Sequence, residues 1–117
     1  MPEVSSFVSL RPGSRFDALY RTARRRRLGA ITVFQAPSDT VLPSVGVVAG
    51  RRVGNAVQRN RAKRRLREAA HRVELRSNTA YVVVASPDVL GVEFGELVNW
   101  LSAAIVVEDG DRDKEAL

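Results

Sequence analysis

"GNAVQRNRAKRRLREAAHR", residues 54–72, carries seven arginines or lysines in nineteen positions, yet its apolar residues return at helical intervals. At 100° per residue, Ala62, Leu66, Ala69, Ala70 and Val73 fall within an arc of about 100°, the width of a stripe that faces a core. Asn60, Lys63, Arg64, Arg67 and His71 lie on the other side, flanked by Arg61, Glu68 and Arg72. Asn55 is a strong N-cap, and Gln58 three residues later completes an Asn-x-x-Gln capping box; Gly54 before it can supply an unusual backbone angle. The stretch is expected to be an amphipathic helix with a cationic outer face. Its alanine-rich stripe predicts close packing against a sheet.

Working outward, "GAITVFQA" (29–36) and "SVGVVAGRR" (44–52) read as strands, the second with a nearly continuous apolar run. "PSDTVLPS" between them is a connection marked by two prolines. "TAYVVVAS" (79–86) is a β-branched strand. Before the first strand, "GSRFDALYRT" (13–22) reads as a short helix with Ser14 as N-cap and Asp17 in a capping-box-like position, followed by "ARRRRLG" as a basic loop. A last helix is expected from about 92 to 106, with Phe94, Leu97, Val98, Leu101 and Ile105 at helical spacing. The charged segment 107–117 lacks apolar anchors and is expected to be a disordered acidic tail. This order predicts one α+β domain over 10–106 after an N-terminal tail (1–9), a two-layer sandwich of the split β-α-β kind with helices on one face of one sheet; one further short strand is left unplaced.

At 117 residues, 44% of them hydrophobic, the chain is long enough for one packed core and too apolar for global disorder. It has no apolar run long enough to span a membrane and no basic-then-apolar leader, and it contains no cysteine; cytoplasmic location is the expectation. The net charge of +6 conceals an asymmetry. Residues 1–76 hold 17 basic and 5 acidic side chains, a net +12, whereas 77–117 hold 2 and 8, a net −6. Such focusing suits a polyanion, whose condensed counterions are released when its phosphates are neutralised. The basic stretches lack the large apolar face that membrane insertion needs.

Catalytic patterns are scarce: there is one histidine, and no metalloprotease, nucleophile-elbow or phosphate-loop motif. A charge run usually marks a solvated face. Here arginine outnumbers lysine 17 to 2, and arginine pairs bidentately with phosphate. Arg51 and Arg52 also converge on the start of the helix, where free N–H groups and the macrodipole favour phosphate. Nucleic-acid binding is the leading reading. The basic helix is flanked by strands, which does not suit a helix-turn-helix module, so DNA is not the expected partner. Phe16, Tyr20 and Phe34, near Arg21 and the arginines of 24–27, would make a stacking platform for a single strand or would simply be core; pattern leaves both open.

"RRVGNAVQRNRAKRRLRE" (51–68) closely resembles the signature of the bacterial ribonuclease P protein family, matching it at Arg52, Gly54, Asn55, Ala56, Val57, Arg59, Asn60, Arg61, Lys63, Arg64, Arg67 and Glu68. "RFDALYR", "ITVF", "SVGVVAGRRVG" and "AYVVVASP" extend the resemblance over roughly 10–106. It departs at Ala62, where the family generally has a larger aliphatic residue, and at Phe34, where tyrosine is common. The resemblance implies the protein subunit of a ribonucleoprotein that removes the 5′ leader of precursor tRNA, with catalysis and Mg²⁺ belonging to the RNA and no catalytic residue in the protein. It implies that Arg52, Asn55, Arg59, Asn60, Arg61, Lys63, Arg64 and Arg67 contact the catalytic RNA, and Arg51, beside Arg52 at the helix start, joins them as an RNA-binding candidate. It makes Phe16, Tyr20 and Phe34 a leader cleft, and it implies a left-handed β-α-β crossover. The alternative is a ribosomal or other structural RNA-binding protein with no role in cleavage.

Overall fold

The computed structural model describes residues 7–10 and 23–116, and of 106–116 the backbone alone. Among the described residues five strands form one mixed sheet: β1 (Val8–Ser9), β2 (Arg24–Leu28), β3 (Ile31–Pro37), β4 (Ser44–Ala49) and β5 (Thr79–Ala85). Their spatial order is β1-β4-β5-β3-β2. The helix α1 (Ala56–Ala70) joins β4 to β5, which are adjacent and parallel, so the basic stretch is the crossover of a β-α-β unit. β3 pairs antiparallel with both β5 and β2, and β1 pairs parallel with β4. The second helix, α2 (Phe94–Ala116), follows a short 3-10 turn at Pro87–Leu90. The chain is therefore α+β, as the pattern of elements predicts.

β5 is central because its side chains are wanted on both faces: six of its seven residues are buried. Alternation then sorts the sheet. Ile31, Val33, Val45, Tyr81 and Val83 pack with Ala62, Leu66, Ala69, Leu97, Leu101 and Ile105, so both helices cover one face. Ala36, Ala80 and Val82 form a second cluster with Phe34, Val48 and Val84 on the other face, and Leu10 and Ala23 pack against it. The alanine stripe of α1 lies against the sheet as expected: Ala62 and Ala69 are fully buried. Buried Tyr81 donates no charge to this core. Desolvation pushes its phenol pKa above the usual tyrosine value, and its oxygen accepts the Arg76 backbone N–H at 3.0 Å.

Four expectations need correction. The run 23–29 is not a loop: Arg24–Leu28 is β2, the outer strand of a hairpin turned by Gly29 and Ala30. Gly29 has φ +54, and a Cβ there would collide with the Trp100 indole of α2, so two constraints ask for glycine at one position. Val8–Ser9, assigned to a tail, is β1. The second strand ends at Ala49 rather than 52, giving way to a 3-10 turn at Arg51–Val53. Finally, α2 does not stop near 106; its backbone stays helical to Ala116. Glu, Lys and Ala are good helix formers, and no proline follows Pro87, so polarity alone does not end the helix. The expected helix at 13–22, with Ser14, Phe16, Asp17 and Tyr20, lies outside the described residues.

Candidate nucleic-acid interface

The cationic surface is built from its entry upward. After β4, the turn Arg51–Val53 buries Val53 in the core and leaves Arg51 and Arg52 exposed. Gly54 follows at φ +145, and a Cβ on it would overlap the Gln58 side-chain amide, which is folded back over this residue. That fold-back makes the cap. The Asn55 N–H donates to Gln58 Oε1 at 2.9 Å, and the Gln58 N–H donates to Asn55 Oδ1 at 2.9 Å. No acid occupies the first turn of α1, so its partial positive charge is left for an external anion.

Along α1 the 3.6-residue period sets the exposure. Asn60, Arg61, Arg64 and Arg67 are exposed, with Arg51, Arg52 and Asn55 leading into them; Arg59 and Lys63 are half-buried. The structure thus brings all nine signature candidates onto one helix and its entry turn. Lys63 and Arg67 line a groove of about 250 Å³ along β4, together with Val45, Gly46, Val47 and Leu10. Phe34 does not belong to this ridge. It lies on the opposite face of the sheet, half-buried beside Val82. Its expected companions Phe16 and Tyr20 lie outside the described residues.

Two arginines of the same stretch do other work. The Arg65 guanidinium reaches the carbonyl of Val92 in the segment before α2, tying the two helices together. Arg72 lies over the Phe94 ring, 5.4 Å from its centroid, a cation–π contact. His71, at the C-cap, stacks on Phe7 at a centroid distance of 4.4 Å. Sequence reasoning missed that Val57 is 75% exposed in the first turn of α1, which also holds Arg59. An apolar residue outside the buried arc of the wheel was the available signal.

Among the described residues no three His, Cys, Asp or Glu side chains converge, so their donor set does not fit a metal site. No described helix is long and apolar enough to cross a membrane. The arrangement offers charge-assisted hydrogen bonds from a rigid ridge to a polyanion.

A family model described as Ribonuclease P matches residues 5–106. The ribonuclease P protein component of Acidothermus cellulolyticus is 41% identical over 92 residues, covering 75% of this chain and 77% of that one. The solved ribonuclease P protein of Staphylococcus aureus superposes with a TM-score of 0.74 at 18% identity, covering 88% of this chain and 96% of that one. That of Thermotoga maritima gives 0.69 at 20% identity, with coverage of 82% and 94%. These two solved structures share the fold described above.

Proposed function

This chain belongs to the ribonuclease P protein family, the protein component of the holoenzyme that processes tRNA 5′ ends, and from that premise we propose how its surfaces divide the work. The ridge of Arg51, Arg52, Asn55, Arg59, Asn60, Arg61, Lys63, Arg64 and Arg67 contacts the catalytic RNA. The face of the sheet away from α1, where Phe34 is half-buried, receives the single-stranded 5′ leader of precursor tRNA, a role the family resemblance also gives Phe16 and Tyr20, which lie outside the described residues. The observation that carries the first assignment is the split within α1, where Ala62, Leu66 and Ala69 are buried while Arg61, Arg64 and Arg67 stand exposed on a helix fixed by its capping box.

The physical task is repulsion. Two polyanions must approach, and a rigid cationic protein placed between them lowers the penalty and raises the local concentration of substrate. Bond cleavage and the Mg²⁺ that activates water are assigned to the RNA. A purely structural RNA-binding role, as in a ribosomal protein, is not favoured by the family match. The test is cleavage of precursor tRNA by the catalytic RNA at low Mg²⁺, with and without this protein. Cleavage should become much faster with it. Unchanged rates, with the protein bound, would refute the proposal.

A further inference from the structure

Val57 stands on the wrong side of α1 for an apolar residue. At 100° per residue it lies about 180° from Leu66 and within about 40° of Arg61 and Arg64, so it heads the outermost stripe of the ridge. Its exposure is 75%, against 1% for Leu66. Arg51 and Arg52 are exposed in the turn before it, and Arg61 and Arg64 are exposed about one and two helical turns after it. Single exposed apolar residues are common on protein surfaces and by themselves need no explanation. Two observations set this one apart. Among the described residues the other large apolar side chains with high exposure, Val8, Val41 and Leu42, lie on β1 and in the connection before β4, none of them on a helix. Nor does the fold gain from valine at this position. β-branching lowers helix propensity, and an acid would complement the macrodipole in this turn, which holds none.

We propose that Val57 is an apolar contact to the catalytic RNA, packed against the C–H face of a ribose between phosphates held by the flanking arginines. The inference rests on the reading of the ridge as the surface for that RNA. Arginines fix a nucleic acid through its phosphates, and what lies between successive phosphates of one strand is sugar. Valine meets that sugar with two methyl groups and sheds little bound water in doing so. It has no ring, so stacking under a base, which takes an aromatic side chain, is not what it offers. Its stiff χ1 also means that little side-chain freedom is lost on contact. The ridge then binds by two physically different means. Its arginine contacts weaken as salt rises, because their strength comes from counterion release; the apolar contact at Val57 does not.

The experiment measures binding of the full chain to the catalytic RNA over a range of salt for wild type, V57A, V57I and R61Q/R64Q. V57A should bind about tenfold more weakly, the worth of two buried carbons. The factor should be the same at every salt concentration, so that its line of log affinity against log salt runs parallel to that of wild type, whereas R61Q/R64Q changes the slope. V57I, which keeps the branched apolar surface, should bind as wild type does. Melting of V57A should match or exceed wild type, because alanine is the better helix former at an exposed position. No loss in V57A, a loss that fades as salt rises, a lower melting temperature, or a V57I that binds as weakly as V57A would each overturn the contact. Should R61Q/R64Q bind like wild type, the reading of the ridge itself fails; R61Q/R64Q weakened beside an unchanged V57A sinks the Val57 contact alone.

Discussion

Residues 24–27 and 59–65 are both arginine runs, and the fold treats them differently. In α1 a 3.6-residue period lets apolar Ala62 and Leu66 set the phase, so that Arg61 and Arg64 turn outward on a ridge supported from beneath while Arg65 turns to the Val92 carbonyl. In β2 a period of two divides four identical side chains between two faces, and the phase is set only by Leu28 and the hairpin. Positive charge of similar size thus becomes one rigid surface in the helix and two half-surfaces in the strand. Charge in a sequence says that a polyanion is welcome; backbone period says how many contacts can be made at once.

The largest expected effect tests the support beneath the ridge. Leu66→Ala removes a side chain that is 1% exposed and should cost about 2–5 kcal/mol in denaturant unfolding. Stability unchanged by that truncation would break the claim that the apolar stripe sets the helix phase. A neighbouring pair sharpens it further. Arg64→Gln should weaken catalytic-RNA binding by about 1–3 kcal/mol with little change in melting, whereas Arg65→Gln should do the reverse by losing its bond to the Val92 carbonyl. Titration of the RNA alongside thermal melts separates the two. Asn55→Ala, which deletes one half of the capping box, should cost about 1 kcal/mol of stability.

The smallest effect lies in the core between the two runs. Burial raises the Tyr81 pKa in the folded state, so the folded protein holds this proton more tightly than the unfolded chain does. Its contribution is complete below the unfolded value near 10 and is lost as pH rises through the higher folded value. Unfolding curves collected from pH 9 to 11 should show stability falling faster in wild type than in Tyr81→Phe.

The helix was legible because its signals are local: an N-cap, a glycine with a steric reason, and five apolar residues in phase. The strands 31–37 and 79–85 were legible from β-branched runs. β2 was not, because arginine has a long apolar stem and a charged head, suits either face, and leaves no hydropathy period. Its strand state comes from pairing with β3. β1 is two residues long and owes its state to β4 in the same way. The extension of α2 beyond 106 was hidden because the residues there are polar and carry no apolar stripe, although they favour helix. Within the site, the ridge followed from the helical wheel, but Arg65 could not be separated from Arg64 without knowing that Val92 lies within reach across the fold.

The salt dependence of catalytic-RNA binding tests the ridge most directly. Each phosphate contact to duplex RNA contributes a slope of order 0.9 in log affinity against log salt, taking the duplex value as a guide. Wild type and the R61Q/R64Q double variant should give lines whose slopes differ by about 1.8, converging as salt rises. Parallel lines of equal height would mean that these exposed arginines touch no phosphate, and the central claim would be contradicted.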